Sequence, residues 1–171
     1  KRKSGLSAKT ENAYVEGFWQ SEGNFKDIEA EIRGDFAFAR EIPETSHALR
    51  SSILESESIC LNVRRSDFLA HDMFIGIPYY EKAVREMLER VPGGRFFIFS
   101  DDIAWCKDNL GFVPEAAFVG HEQAGAGYSD YLQLMTGCKH FIIPNSTFAW
   151  WAAWLGKRSG KIVIDLTMEA S

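Results

Sequence analysis

Two rhythms of apolar and polar residues alternate along the chain. From residue 58 onward, short apolar runs recur: Ile59-Cys60-Leu61-Asn62-Val63, Phe96-Phe97-Ile98-Phe99, a weaker Ala117-Phe118-Val119, Phe141-Ile142-Ile143 and Ile162-Val163-Ile164. Runs this short and this unbroken predict strands buried on both faces. Between them lie stretches with helical spacing. Tyr80, Ala83, Val84, Met87, Leu88 and Val91 form one stripe behind Pro78, which suits a first helical turn, and Pro92-Gly93-Gly94 ends that helix. Residues 103–110 predict a short helix stopped by Gly111, residues 129–138 a helix capped by Ser129, and residues 145–155 a helix capped by Asn145-Ser146 and stopped by Gly156.

Upstream the pattern is helical only. Phe25, Ile28, Ile32 and Phe36 predict one face of a helix over 24–38, and Ala48, Leu49, Ile53 and Leu54 a weaker one after Pro43. Residues 1–23 read as a tail or connector docking through Tyr14, Phe18 and Trp19.

Strands alternating with helices of about ten residues imply right-handed βαβ units, hence an α/β fold with a mostly parallel sheet and flanking helices. Ligands in such folds bind beyond the carboxyl ends of the strands. After the first strand comes Arg64-Arg65-Ser66-Asp67, after the second Ser100-Asp101-Asp102, and after the fourth Asn145-Ser146-Thr147. The topology brings all three to one edge. Two guanidiniums match phosphate oxygens with rigid forks, or else form an ordinary ion-pair cluster. A helix start at Ser146 offers free N–H groups and a positive dipole end to an anion, or else is merely capped. Asp101 and Asp102 suit a guanine edge, a Mg²⁺ ion or a helix cap. Trp150, Trp151 and Trp154 read as core packing of their helix against the sheet, with Phe148 at the helix start as a stacking candidate.

Composition narrows the classes. The formal net charge of −5 is the wrong sign for a nucleic-acid binder, so any positive site must be local. No apolar run reaches the ~18 residues of a membrane span. Neither GxGxxG nor GxxxxGK[ST] occurs, which argues against a nicotinamide enzyme and a P-loop nucleotidase. Cys60, Cys106 and Cys138 lack CxxC spacing and sit in or beside apolar segments, as buried free thiols do, and the four histidines are scattered. A reducing, cytoplasmic setting without a metal site is expected.

Cys60 to Asp67 resembles the HxRRGD segment of the alpha-1,2-fucosyltransferases of glycosyltransferase family 11. Phe99-Ser100-Asp101-Asp102 followed by Trp105-Cys106-Lys107 is similar to their second motif, and Asp130 to Leu155 to their third over its whole length. Asn62 stands where that family usually has His, and Ser66 where it usually has Gly, so a titrating histidine is excluded there. The resemblance implies the Rossmann-like half of a GT-B-type architecture. Residues 1–45 are then a connector leading in from a missing N-terminal half, and 46–171 the nucleotide-sugar domain.

It further implies inverting transfer of L-fucose from GDP-fucose to the 2-hydroxyl of a galactose in a glycan, without a metal or other cofactor. Arg64 serves the leaving diphosphate, assisted by Arg65 and the N-terminus of the helix from Ser146, and Asn145, Ser146, Thr147 and Phe148 are donor-binding residues. Asp101 or Asp102, with Asn62, reads guanine, and Asp67 is the candidate base. The full-length protein is expected to be cytoplasmic, peripheral at the inner membrane of a bacterium. The alternatives are a non-catalytic GDP-sugar-binding remnant and a relative with another donor or linkage.

Overall fold

The computed structural model describes residues 16–71, 73–125 and 127–166, apart from the side chains of Asp67 and Ala70; Tyr14 lies outside this range. Among the described residues five strands form one sheet: β1 (Ser58–Val63), β2 (Arg95–Ser100), β3 (Ala117–Val119), β4 (His140–Ile142) and β5 (Val163–Ile164). Every pairing is parallel, and the order is β3-β2-β1-β4-β5. The chain therefore winds outward from β1 in one direction, returns, and winds outward in the other. A crevice opens at that reversal, between the carboxyl ends of β1 and β4.

Eight helices among the described residues accompany the sheet: α1 (Glu29–Asp35), α2 (His47–Leu54), α3 (Ser66–Ala70), α4 (Ile77–Arg90), α5 (Ile103–Asn109), α6 (His121–Ala124), α7 (Tyr128–Gly137) and α8 (Thr147–Leu155). Alternation along each strand sorts the core into two layers. Ile59, Leu61, Val63, Phe96 and Ile98 meet Tyr80, Val84 and Met87 of α4 and Cys106 of α5. On the opposite face Cys60, Phe97, Phe99 and Phe141 meet Ile53 of α2, Leu134 and Met135 of α7, and the alanines of α8. All three cysteines are free and buried. No helix among the described residues is long and apolar enough to cross a membrane.

The sheet-facing side of α8 differs from expectation. Ala149, Ala152 and Ala153 lie on the sheet, Trp151 and Trp154 face away from it, and the half-buried Trp150 touches both the sheet-facing core and the outer aromatic cluster. Phe97, Phe99 and Phe141 fill much of the space between the layers, so the fully buried positions on the helix side are the small Ala149, Ala152 and Ala153. The tryptophans instead receive the upstream segment. Phe25 stacks on Trp151 at 5.4 Å between ring centroids and meets Trp150 and Trp154 edge-on, and Phe36 stacks on Trp151 at 4.7 Å. The helix expected over 24–38 is accordingly shorter. Two 3₁₀ turns, Glu22–Asn24 and Lys26–Ile28, break at Phe25, whose ring is lodged among the tryptophans, and α1 comes after them.

Candidate donor site

The parallel register of β1 and β2 decides what happens to the arginine pair. Val63 lies opposite Ser100, so the next residues bring Arg64 beside Asp101 and Arg65 beside Asp102. Both pairs form, with N–O distances of 3.3 Å for Arg64–Asp101 and 3.1 Å for Arg65–Asp102. Alternation then sends the two arginines to opposite faces. Arg64, like Asn62 two residues before it, faces a cavity of about 640 Å³, a size suited to a small-molecule ligand. Arg65 turns the other way. Its guanidinium lies 4.1 Å from the Trp105 ring centroid and 4.8 Å from that of Phe74.

The cavity sits at the crevice between β1 and β4. Asn62, Arg64 and Asp101 line it on one side, and Asn145, Ser146, Thr147 and Phe148 on the other. The three polar clusters at the strand ends thus converge, though not with every member. Arg65 and Asp102 do not line the cavity; they hold each other. Asp102 also caps α5, accepting the Trp105 N–H at 3.0 Å. The structure describes the backbone of Asp67 within α3 but not its carboxylate.

Asp101 does more than face Arg64. Its carboxylate accepts the backbone N–H of Arg65 at 2.9 Å and of Ser66 at 3.1 Å. It therefore fastens the start of α3, a helix not expected from the sequence, and fixes the backbone from which Arg64 projects. Asn62 donates from Nδ2 to the Phe99 carbonyl at 3.2 Å, while its Oδ1 is buried without a partner among the described residues. Such an orphan acceptor calls for a ligand or a water. On the facing wall Ser146 caps α8 by accepting the Ala149 N–H, and Tyr79 donates to the Ile143 carbonyl at 2.6 Å, tying the turn before Asn145 to α4.

Further lining residues come from elsewhere in the chain: Phe18, Gln20, Phe68, His121, Tyr128 and Tyr131 among them. His121 was findable, because it lies just past the third strand as the other clusters lie past theirs. Tyr131, its phenol pushed up to about 12 by burial, stays protonated and donates to the Val119 carbonyl. The helix expected to be capped by Ser129 begins one residue earlier, and Asp130 makes the closing contact, accepting the Gly127 N–H at 3.2 Å. Among the described residues no group of three His, Cys, Asp or Glu side chains is arranged to hold a metal ion.

The Asp102 carboxyl is held below its ordinary pKa, first by the Trp105 N–H and then by Arg65. A depressed folded-state pKa gives stability that is present above the ordinary carboxylate value, about 4, and lost as pH falls through the lower one. Thermal melting between about pH 7 and pH 2.5 is therefore expected to show a steeper acid loss in the parent chain than in Asp102→Asn. Superimposable profiles contradict this account.

The model of glycosyl transferase family 11 matches residues 1–171. The O-antigen biosynthesis glycosyltransferase WbnK of Escherichia coli is 35% identical over 127 residues, covering 70% of this chain and 41% of that protein. An alpha-1,2-colitosyltransferase of Escherichia coli is 30% identical over 148 residues, covering 81% and 50%. The chain thus spans half or less of the length of these curated relatives. Among solved structures, POFUT1 in complex with GDP-fucose aligns with a TM-score of 0.52 at 14% identity, over 71% of this chain and 44% of that one. That likeness concerns the fold, which is the expected Rossmann-like parallel sheet of GT-B type. A match along the whole chain means that the chain belongs to glycosyl transferase family 11.

Proposed function

We propose that this chain binds the nucleotide-sugar donor in an inverting transfer of L-fucose from GDP-fucose to the 2-hydroxyl of a galactose in a glycan. One observation carries the proposal: Arg64 and the start of α8 face each other across a cavity at the point where the strand order reverses. A guanidinium on one wall and free N–H groups with a positive dipole end on the other suit a diphosphate.

In such a transfer the bond from the anomeric carbon to the diphosphate oxygen breaks as the acceptor hydroxyl attacks from the opposite face. Negative charge grows on the departing GDP. Arg64 and the α8 N–H groups are preorganised where that charge develops, which stabilises the transition state without a proton or a metal ion. Arg65, caged by Trp105, Phe74 and Asp102, keeps the Arg64 backbone in place rather than touching the donor. Asp67, in the first turn of α3, is the proposed base for the acceptor hydroxyl.

Calorimetric titration with GDP, GDP-fucose and GDP-mannose, each with and without EDTA, tests the reading. GDP and GDP-fucose are expected to bind with affinities unchanged by chelation. Loss of binding in EDTA overturns metal independence, and failure of every GDP compound to bind overturns the donor site. A second reading has a specific basis in the relative named for alpha-1,2-colitosyl transfer. It keeps the linkage and changes the sugar, and a tighter response to a GDP-deoxysugar other than fucose selects it.

A further inference from the structure

The segment ahead of the sheet contributes to the cavity, although neither the strand-end rule nor the family motifs give it a part there. It runs beside α8 in the same direction. Gln20 meets the first residue of α8, with Nε2 donating to Thr147 Oγ1 at 3.2 Å. Phe25 is buried among the tryptophans at the middle of the helix. Arg33 closes its far end, donating to the carbonyls of Trp154 at 3.1 Å and Leu155 at 3.5 Å, with its guanidinium 3.9 Å from the Trp154 ring centroid. Contacts at three levels of the helix hold Gln20 in register with Thr147.

A threonine hydroxyl has one proton and two lone pairs. Without a fixed neighbour it rotates, and it can turn a lone pair toward a ligand as readily as its proton. An anion needs the proton. When Gln20 donates to Oγ1, a lone pair is occupied and the proton is left to point elsewhere. Thr147 lines the cavity opposite Arg64. We propose that Gln20 is a positioning residue for the donor diphosphate: its amide turns the Thr147 hydroxyl proton toward the phosphate, making the upstream segment a working part of the site. The inference rests on the donor-site reading above. In the same cavity the buried Oδ1 of Asn62 has no partner among the described residues, a separate place for a ligand or a water to complete.

The test is a double-substitution cycle read by GDP titration of the whole chain, with thermal melting to show that each variant is folded. Gln20→Ala is expected to weaken GDP binding about three- to tenfold, the effect of one hydrogen bond. Thr147→Val is expected to weaken it at least as much, and the double variant no more than Thr147→Val alone. Gln20→Glu can only accept, so it draws the hydroxyl proton to itself and brings a negative charge beside the phosphate; it should bind GDP more weakly than Gln20→Ala. Thr147→Ala replaces Thr147→Val if valine disturbs the helix start. An undiminished loss when Gln20→Ala is added to the threonine variant overturns the proposal, and so does unchanged binding in Gln20→Ala. If Arg64→Ala binds GDP as the parent does, the donor-site reading fails and this inference falls with it. If Arg64→Ala weakens binding and the cycle is additive, the inference alone fails.

Discussion

Arg64→Ala is expected to weaken GDP binding by about 1.5–3 kcal/mol, roughly 10- to 150-fold, the range for a hydrogen bond to a charged group. The loss has two parts. The guanidinium fork no longer meets the phosphate, and Asp101, which it partly neutralises at 3.3 Å, then faces the diphosphate with its charge uncovered. Arg64→Lys restores the charge without the fork and should fall between parent and alanine variant. Adding Asp101→Asn to Arg64→Ala removes the uncovered charge and should recover part of the loss. Folding is not expected to suffer in Arg64→Ala, because Asp101 still accepts the Arg65 and Ser66 N–H groups. Calorimetry on the four proteins, with melting as a control, decides the matter. GDP binding unchanged by Arg64→Ala would falsify the site.

The largest stability effect is expected at Phe141. Its side chain is fully buried on β4, between β1 and β5 in the sheet, in the layer capped by α7 and α8. Gly156 is packed so closely against it that a Cβ there would lie 3.1 Å from the ring. Backbone approaching from that side cannot collapse freely into a void. Phe141→Ala should therefore cost about 3–5 kcal/mol, a large share of the ~5–15 kcal/mol that holds a typical domain together. Urea denaturation should show a lowered midpoint at an unchanged slope. A midpoint shift worth less than about 1 kcal/mol would show that the site relaxes and that the tight packing around Gly156 has been overestimated.

Much of this architecture was legible in the residues themselves. The five apolar runs mark the five strands among the described residues to within a residue or two, most plainly β1, β2 and β4, which are buried on both faces, while the edge strands β3 and β5 are buried only in part. The amphipathic stripe behind Pro78 marks α4 for a similar reason. The polar residues just past the strand ends supplied Arg64, Asp101 and the stretch from Asn145 to Phe148, and the family motif added Asn62; all of them line the cavity. What escaped depends on distances along the chain or on which face a side chain takes. Gln20 and Thr147 are separated by 127 positions, and nothing local connects them. The tryptophans of α8 have the right spacing for a buried face, but the phenylalanines of β2 and β4 had already occupied the interlayer space. Arg65 and Asp102 read as site residues because each adjoins one. Their withdrawal to the opposite face follows from alternation continued past the strand ends, and the register of β1 on β2, which only pairing reveals, then joins them to each other.

That register has a consequence for how the chain tolerates change. Two identical neighbours look like a spare and its original, but here each occupies a distinct address. One residue deleted between Leu61 and Arg64 would present Arg65 to the cavity, put Arg64 in the buried place of Val63 and leave the ring pair of Phe74 and Trp105 with Ser66, while one inserted would keep an arginine on the rings and take it from the cavity. The length of this stretch is therefore constrained as tightly as its composition.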